Sequence, residues 1–176
     1  MAKNFSGPAV FLDRSDINTD EIIPARYLTE VTKEALKPYL LEDLKLEGFD
    51  PQGEKLARAG VVVARSNFGC GSSREHAAWA FEVNGIHTLI AGSFSRIFRQ
   101  NMFNCGMLAI ELPEADLEKL FALARKGEVT ISVDLENSRI SAEAAGTKEA
   151  IQFAITSFDR ALVEAGGWVE FADRRY

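Results

Sequence analysis

The residues best suited to chemistry lie in one turn, residues 66–74, which reads SNFGCGSSR. Its two glycines allow the backbone to turn sharply and to approach a ligand, because no Cβ stands in the way. Ser72 and Glu75 have the S-x-x-E spacing of a capping box, which predicts that Ser72 is the N-cap of a helix. The N–H groups at such a helix start attract anions, and Arg74 adds a guanidinium that suits a carboxylate. Two interpretations of this turn stay open on these features: an anion site, or a cap that binds no ligand.

The elements that must position this turn alternate between strand and helix. The β-branched run at 61–64 is typical of a buried strand, and residues 74–83 have an apolar helical face. The same order repeats with a strand at 86–91, a helix at 95–104 and a strand at 107–112. Short connections between such elements indicate parallel β-α-β units, and residues 8–12 add a first strand.

The rest of the chain has weaker patterns. After residue 112 we expect, in order, a helix at 114–126, a hairpin of strands at 129–133 and 138–141, and helices at 148–154 and 158–165. Gly166-Gly167 is a stop signal for the last helix. Near the N-terminus, Thr32 is the expected N-cap of a helix that Pro38 interrupts, and residues 47–59 favour an exposed loop with at most a short helix. The prediction is a mixed α/β chain that forms one domain over residues 1–176.

Composition limits the classes of partner. The chain has 176 residues, a formal net charge of −6 and a pI of about 5.1, and it contains no basic block. Nucleic acid and anionic membranes are therefore not expected as partners. Cys70 and Cys105 are too few for a disulfide scaffold, and no C-x-x-C spacing indicates zinc or a cluster. Without a signal sequence or a run of about 20 apolar residues, the expected location is cytoplasmic.

Three ordered motifs carry a resemblance to a known family. Residues 69–77, GCGSSREHA, are close to the pattern G-x-G-S-S-R-E-H-A, and residues 18–24, NTDEIIP, and 93–98, SFSRIF, are similar to two further signatures. Together they resemble the swivelling domain of the aconitase and isopropylmalate dehydratase family, which also exists as a separate small subunit. The resemblance covers about residues 10–112 and implies a three-layer β/β/α domain with parallel β-α-β units.

The resemblance implies the chemistry of a hydro-lyase. Family members move a hydroxyl between adjacent carbons of a malate-like acid through an alkene, with a [4Fe–4S] cluster as Lewis acid. Ser72 matches the family's base, which removes a proton next to a carboxylate, and Asp20 matches a second catalytic position. Thr19, Ser73 and Arg74 match positions that bind substrate. By local sequence alone, Thr19 and Asp20 favour the simpler interpretation of an Asx-turn between a strand and a loop.

The substrate prediction depends on the loop that follows residues 18–24. In the family this loop contacts the part of the substrate that differs between members, and here it contains Arg26 and Thr29. Thr29 is small and uncharged, which favours an alkyl group over a third carboxylate, whereas the charge of Arg26 suits such a carboxylate. We predict the interconversion of 2- and 3-isopropylmalate, as in leucine biosynthesis, rather than a reaction of homoaconitate, dimethylmalate or citrate.

The cysteine count implies a partner. The family's cluster needs three cysteine ligands and this chain has two, so we expect no metal site here and a [4Fe–4S] cluster on a large partner subunit. The active site then forms where the two subunits meet around a malate-type dicarboxylate. Two other classes stay open: a regulatory module that binds a small ligand, and a scaffold in which the turn is only a cap.

Several motif residues have structural interpretations of their own. Phe94, Ile97 and Phe98 are expected in the core, while Arg96 is expected to pair with an acid or to support the active-site face. The histidines are expected to be structural and not metal ligands, and the thiols to be ordinary buried ones: His76, His87, Cys70 and Cys105.

Overall fold

A computed structural model describes residues 3–175 of the chain. Its main element is a seven-stranded sheet with the strand order β4-β3-β2-β1-β5-β6-β7. The strands are β1 (Gly7–Leu12), β2 (Val61–Ala64), β3 (Thr88–Ala91), β4 (Leu108–Glu111), β5 (Thr130–Asp134), β6 (Arg139–Ala144) and β7 (Thr147–Gln152). The α-helices are α1 (Thr19–Ile22), α2 (Glu54–Arg58), α3 (Glu75–Val83), α4 (Arg96–Asn104), α5 (Glu114–Ala124), α6 (Ser157–Ala165) and α7 (Trp168–Arg175).

The parallel half of the sheet comprises β1 to β4 and the helices between them. α3 joins β2 to β3, and α4 joins β3 to β4, which confirms the predicted parallel β-α-β units. Every residue of β2 and β3 is buried, as expected for an apolar run in a parallel sheet. The predicted bounds of the strands and helices in this half are confirmed to within two residues.

The antiparallel half comprises β5, β6 and β7 with α5, which packs against β6 and β7. It joins the parallel half where β5 pairs with β1, with Gly7 opposite Ile131. The side chains of β6 alternate, and its buried ones are Ile140, Ala142 and Ala144. This alternation is typical of a strand with one face on the core, and the predicted hairpin is confirmed.

One predicted element is wrong, because residues 148–152 belong to β7 and residues 153–154 to no helix. Their lysine, glutamate and alanine favour a helix locally, but β7 pairs with β6 along its length, with Ile140 opposite Ile151. The connecting residues Ala145 and Gly146 have positive φ values of 50° and 79°, as a two-residue hairpin turn requires. Pairing within the sheet therefore overrides local helix propensity.

The C-terminal helices cover the end of α4. α6 ends where Gly166 adopts a left-handed φ of 100°, which confirms the predicted stop signal. α7 follows at once, an element that the sequence pattern does not indicate, and packs against α4 and α6. A Cβ placed on Gly106 would lie 2.3 Å from the carbonyl carbon of Gly166, so the two backbones are in close contact. Within residues 3–175, no helix has both the length and the apolar character that a membrane span demands.

The long connection between β1 and β2 contains short helices. The helix expected after Thr32 is a 3-10 helix, Glu34–Tyr39, and its N-cap is Lys33 rather than the predicted Thr32, although Thr32 Oγ1 accepts a hydrogen bond from Ala35 N at 3.4 Å. Pro38 lacks the N–H that a longer α-helix would need at this point. Residues 47–59 contain the short helix α2, as predicted.

Candidate active site

The motif at residues 18–24 begins the short helix α1. Asn18 Oδ1 accepts a hydrogen bond from Glu21 N at 3.0 Å, and Glu21 Oε1 accepts one from Asn18 N at 3.1 Å, which completes a capping box. Burial opposes ionisation of Glu21, but hydrogen bonds from Arg14 and the Asn18 N–H outweigh it and hold the pKa of this carboxyl below its ordinary value. The N-x-x-E spacing of Asn18 and Glu21 is the sequence signal for this cap. The Asx-turn favoured by the local sequence does not include the reciprocal bonds between these two residues.

Backbone contacts join this motif to the Gly-rich turn. Thr19 N donates to Cys70 O at 2.8 Å, and Ser72 N donates to Thr19 Oγ1 at 3.1 Å. Thr19 is only 2% exposed, and a Cβ on Gly71 would lie 3.2 Å from its hydroxyl oxygen. The buried threonine therefore supports the turn from beneath and determines the position of the Ser72 backbone.

The predicted capping box of α3 is wrong. The helix begins at Glu75 with Arg74 as its N-cap, and no side chain caps it. Ser72 lies two residues before the N-cap, and its N–H, which would donate to the Glu75 side chain in a capping box, donates to Thr19 Oγ1 instead. Ser72 and Ser73 are exposed, and neither hydroxyl has a hydrogen-bond partner among residues 3–175. The hydroxyl of Ser72 is thus available for chemistry at the positive end of α3.

Arg74 and Asp20 form an ion pair beside this turn, in which Arg74 Nη1 donates to Asp20 Oδ1. The Arg74 side chain is 19% exposed and that of Asp20 is 62% exposed. An ion pair of this exposure adds little to the free energy of unfolding. Its main effect is geometric, since it holds the guanidinium at Asp20, whose neighbour Thr19 binds the Ser72 N–H.

The third motif forms the floor of the turn. Phe68 N donates to Ser93 O at 3.0 Å and Ser95 N donates to Phe68 O at 2.9 Å, so the chain after β2 is tied to the chain after β3. Phe98 is 2% exposed and packs against Gly69, where a Cβ would lie 2.3 Å from the Phe98 ring. A side chain at residue 69 would therefore collide with the core.

The core prediction for this motif is confirmed for two phenylalanines and wrong for the isoleucine. Phe94 and Phe98 are buried, whereas Ile97 is 43% exposed. Ile97 and Phe98 are neighbours on α4, so a helix that turns Phe98 towards the core points Ile97 away from it. Arg96 is exposed, and among residues 3–175 it forms no ion pair with an acid.

The loop predicted to contact substrate is held by contacts of its own. Arg26 donates to both carboxylate oxygens of Asp43, at 3.0 and 3.1 Å, and to Glu42 at 3.2 Å. This hydrogen bonding from Arg26 holds the pKa of Asp43 below its ordinary value. Thr29 lies exposed in the following turn. The structure thus joins Arg26 to an acidic pair, and within residues 3–175 no hydrogen bond or ion pair links it to residues 72–74.

Both histidine rings contact backbone carbonyls, which confirms their structural interpretation. His76 Nε2 lies 3.2 Å from Glu30 O, and His87 Nδ1 lies 3.2 Å from Asn4 O. Burial lowers the pKa of His87, and a charge on Lys3 adds to this effect in spite of the hydrogen bond to Asn4.

The thiols of Cys70 and Cys105 are free and half-buried, rather than buried as predicted. Burial raises the pKa of Cys105 to about 11. In the part of the chain that the structure describes, no group of three or more His, Cys, Asp or Glu side chains is placed to hold a metal ion. An iron–sulfur cluster, which needs several thiolates, does not fit these residues.

Comparison with known proteins identifies the relatives of this chain. The aconitase C-terminal domain family matches residues 3–115. The 3-isopropylmalate dehydratase small subunit of Pseudoalteromonas translucida is 38% identical over 167 residues, which span 90% of this chain and 80% of the relative. The subunit of the same name from Rhodospirillum centenum is 40% identical over 174 residues, which span 93% and 82%. A crystal structure of 3-isopropylmalate dehydratase from Methanocaldococcus jannaschii superposes with a TM-score of 0.78 at 30% identity, over 97% of this chain and 94% of that one.

Proposed function

Because this chain belongs to the aconitase C-terminal domain family, we propose that it is the small subunit of a 3-isopropylmalate dehydratase. This hydro-lyase interconverts 2- and 3-isopropylmalate by dehydration and rehydration in leucine biosynthesis. One observation carries the proposal: three motifs that are far apart in the sequence meet at the turn that contains Ser72. Thr19 binds the Ser72 N–H, and Phe98 lies under Gly69.

Ser72 is the proposed base. A serine hydroxyl removes a proton from carbon only as an alkoxide, so its surroundings must stabilise a negative charge. Two neighbours suit this task, namely the guanidinium of Arg74 and the N-terminal end of α3. The exposed hydroxyl of Ser72 is not used to cap the helix, which supports a role in chemistry.

The carboxylate of the substrate is proposed to bind Ser73 and Arg74. Asp20 acts beside them, because its ion pair with Arg74 orients the guanidinium. The N–H groups of Arg74 that do not bind Asp20 are left for the carboxylate of the substrate. Thr19, whose hydroxyl holds the turn, supports the same site from beneath. Thr29 and Arg26 are proposed to lie near the variable end of the substrate, and Arg26 would first have to leave Asp43.

The proposed enzyme needs a second chain. Cys70 and Cys105 do not fit a cluster, so we place the [4Fe–4S] cluster of the family on a large partner subunit. The name "small subunit" of the relatives supports such a partner. A malate-type dicarboxylate would bind where the Ser72–Arg74 turn faces that subunit.

The test is an assay of the assembled complex, with the large subunit co-expressed and its cluster reconstituted anaerobically. Ser72→Ala should lower turnover of 3-isopropylmalate by about 100- to 10,000-fold, because the base is lost, while size-exclusion chromatography still shows the complex. Ser157→Ala, an exposed serine at the start of α6, is the matched control and should keep wild-type turnover. Full activity in the Ser72→Ala complex would refute the assignment of Ser72 as the base. A wild-type complex that prefers homoaconitate to 3-isopropylmalate would refute the proposed substrate specificity.

A further inference from the structure

Residues 29–35 follow a defined path without any buried side chain. Val31, in the middle of this stretch, is 89% exposed. Burial of apolar surface is the usual force that holds a segment in place, and it contributes little here. The position of these residues must therefore depend on individual polar contacts.

Side chains of α3 supply those contacts along one face of the helix. His76 Nε2 lies 3.2 Å from Glu30 O, and Lys33 Nζ donates to Glu82 Oε1 at 2.6 Å. Trp79 lies between them, with its ring centre 4.8 Å from that of His76 and 5.7 Å from Lys33 Nζ. Residues 76, 79 and 82 are spaced by three and so share one face of α3.

The contacts follow the same order along the helix and along the segment. From residue 76 to residue 82 α3 rises about 9 Å, and it contacts Glu30 at the first of these residues and Lys33 at the second. Asn84 Nδ2 continues the series with a hydrogen bond to Lys37 O at 3.1 Å. The segment therefore runs beside α3, and its first contact is in the first turn of the helix.

We propose that His76 is a positioning residue, which ties residues 29–33 to α3 and so holds them beside the Ser72–Arg74 turn. Because a carbonyl oxygen only accepts hydrogen bonds, His76 Nε2 carries a hydrogen and donates a hydrogen bond to Glu30 O. The flat ring rests against Trp79, which limits its rotation. The effect on catalysis rests on the function proposed above, in which Thr29 faces the variable end of the substrate.

The kinetic test uses the assembled complex. His76→Ala should raise KM for 3-isopropylmalate about 3- to 10-fold, the value of one lost hydrogen bond, with kcat within about 2-fold of wild type. His76→Gln should restore KM, since its amide N–H can reach the same carbonyl. His87→Ala is the matched control, because it also loses a ring contact of 3.2 Å to a backbone carbonyl, and should leave KM unchanged. Wild-type KM in His76→Ala, or no recovery in His76→Gln, would overturn the proposal.

A second measurement decides the proposal without activity. In the wild-type structure the amides of Glu30 and Ala35 donate hydrogen bonds to Tyr27 O and Thr32 Oγ1. Hydrogen exchange at these two amides, measured on the purified full chain, should be faster in His76→Ala. The amides of β2 and β3 should exchange as in wild type. Equal exchange at Glu30 and Ala35 in both proteins would overturn the positioning role. If the wild-type complex lacked dehydratase activity but exchange changed as expected, the proposed function would fail while the positioning contact would stand.

Discussion

The parallel and antiparallel halves of the sheet arrange their loops in different ways. In the parallel half, β1, β2 and β3 run in one direction, so the chain leaves all of them at the same edge. The three motifs follow these strands and meet there. In the antiparallel half, consecutive strands reverse, so their loops lie at opposite edges. Strand direction thus decides which half can gather side chains from distant parts of the chain into one site.

The family match follows the same division. It covers residues 3–115 and so ends in the first turn of α5, where the parallel half is complete. Every predicted site residue lies within that match. The antiparallel half supports the site indirectly, through the pairing of β5 with β1, and the C-terminal helices α6 and α7 pack on α4. Changes in the two halves should therefore affect turnover and stability differently.

The largest difference is expected between two glycines with nearly equal φ. Gly69 has a φ of 81° and its Cβ would lie 2.3 Å from the Phe98 ring, whereas Gly146 has a φ of 79° and open space around it. Gly69→Ala should lower the free energy of unfolding by about 2–4 kcal/mol, because the core must shift and an alanine must adopt a left-handed φ. The displaced turn should lower turnover of the complex by about 100-fold. Gly146→Ala should lower stability by only about 1 kcal/mol and keep wild-type turnover. Equal effects of the two changes, in enzyme assays and urea unfolding, would contradict the comparison.

A smaller difference is expected between two arginines. Arg74→Lys removes the guanidinium fork beside Ser72 and should lower kcat/KM by about 10- to 100-fold, since a lysine offers no bidentate contact. Arg160→Lys loses the hydrogen bonds of Arg160 to Leu135 O and Ser138 Oγ in the antiparallel half. It should lower the melting temperature but leave kcat/KM within about 2-fold of wild type. Steady-state kinetics and thermal unfolding of the two variants check these expectations. Wild-type kinetics for Arg74→Lys would argue against a role of Arg74 in binding the substrate carboxylate.

The smallest effect on turnover is expected from a buried isoleucine of the antiparallel half. Ile140→Ala in β6 should lower the free energy of unfolding by about 2–4 kcal/mol, as a core cavity does, with kcat and KM unchanged. Ile90→Ala in β3 removes an equally buried side chain next to the chain that supports the turn, and should also change kcat/KM severalfold. The comparison breaks down if Ile140→Ala alters the kinetics as much as Ile90→Ala does.

Local sequence predicts the parallel half well because each element there is encoded by its own residues. The apolar run at 61–64 favours a buried strand at any position in a parallel sheet, and the turn residues that follow end the strand. Residues 148–154 are predicted wrongly because their side chains favour a helix, whereas pairing with β6 makes residues 148–152 a strand. The cap predicted at Ser72 fails for a similar reason, since Thr19 binds its N–H.

The sequence by itself determined the three motifs, their order and the residue types that suit proton removal and carboxylate binding. Only the tertiary structure decided how they combine: Thr19 reaches Ser72 across 53 positions, and Arg74 reaches Asp20 across 54. It also decided that Arg26 pairs with Asp43 and that His76 holds Glu30. Such contacts join residues far apart in the chain, so they depend on the path of the whole backbone, which no local pattern encodes.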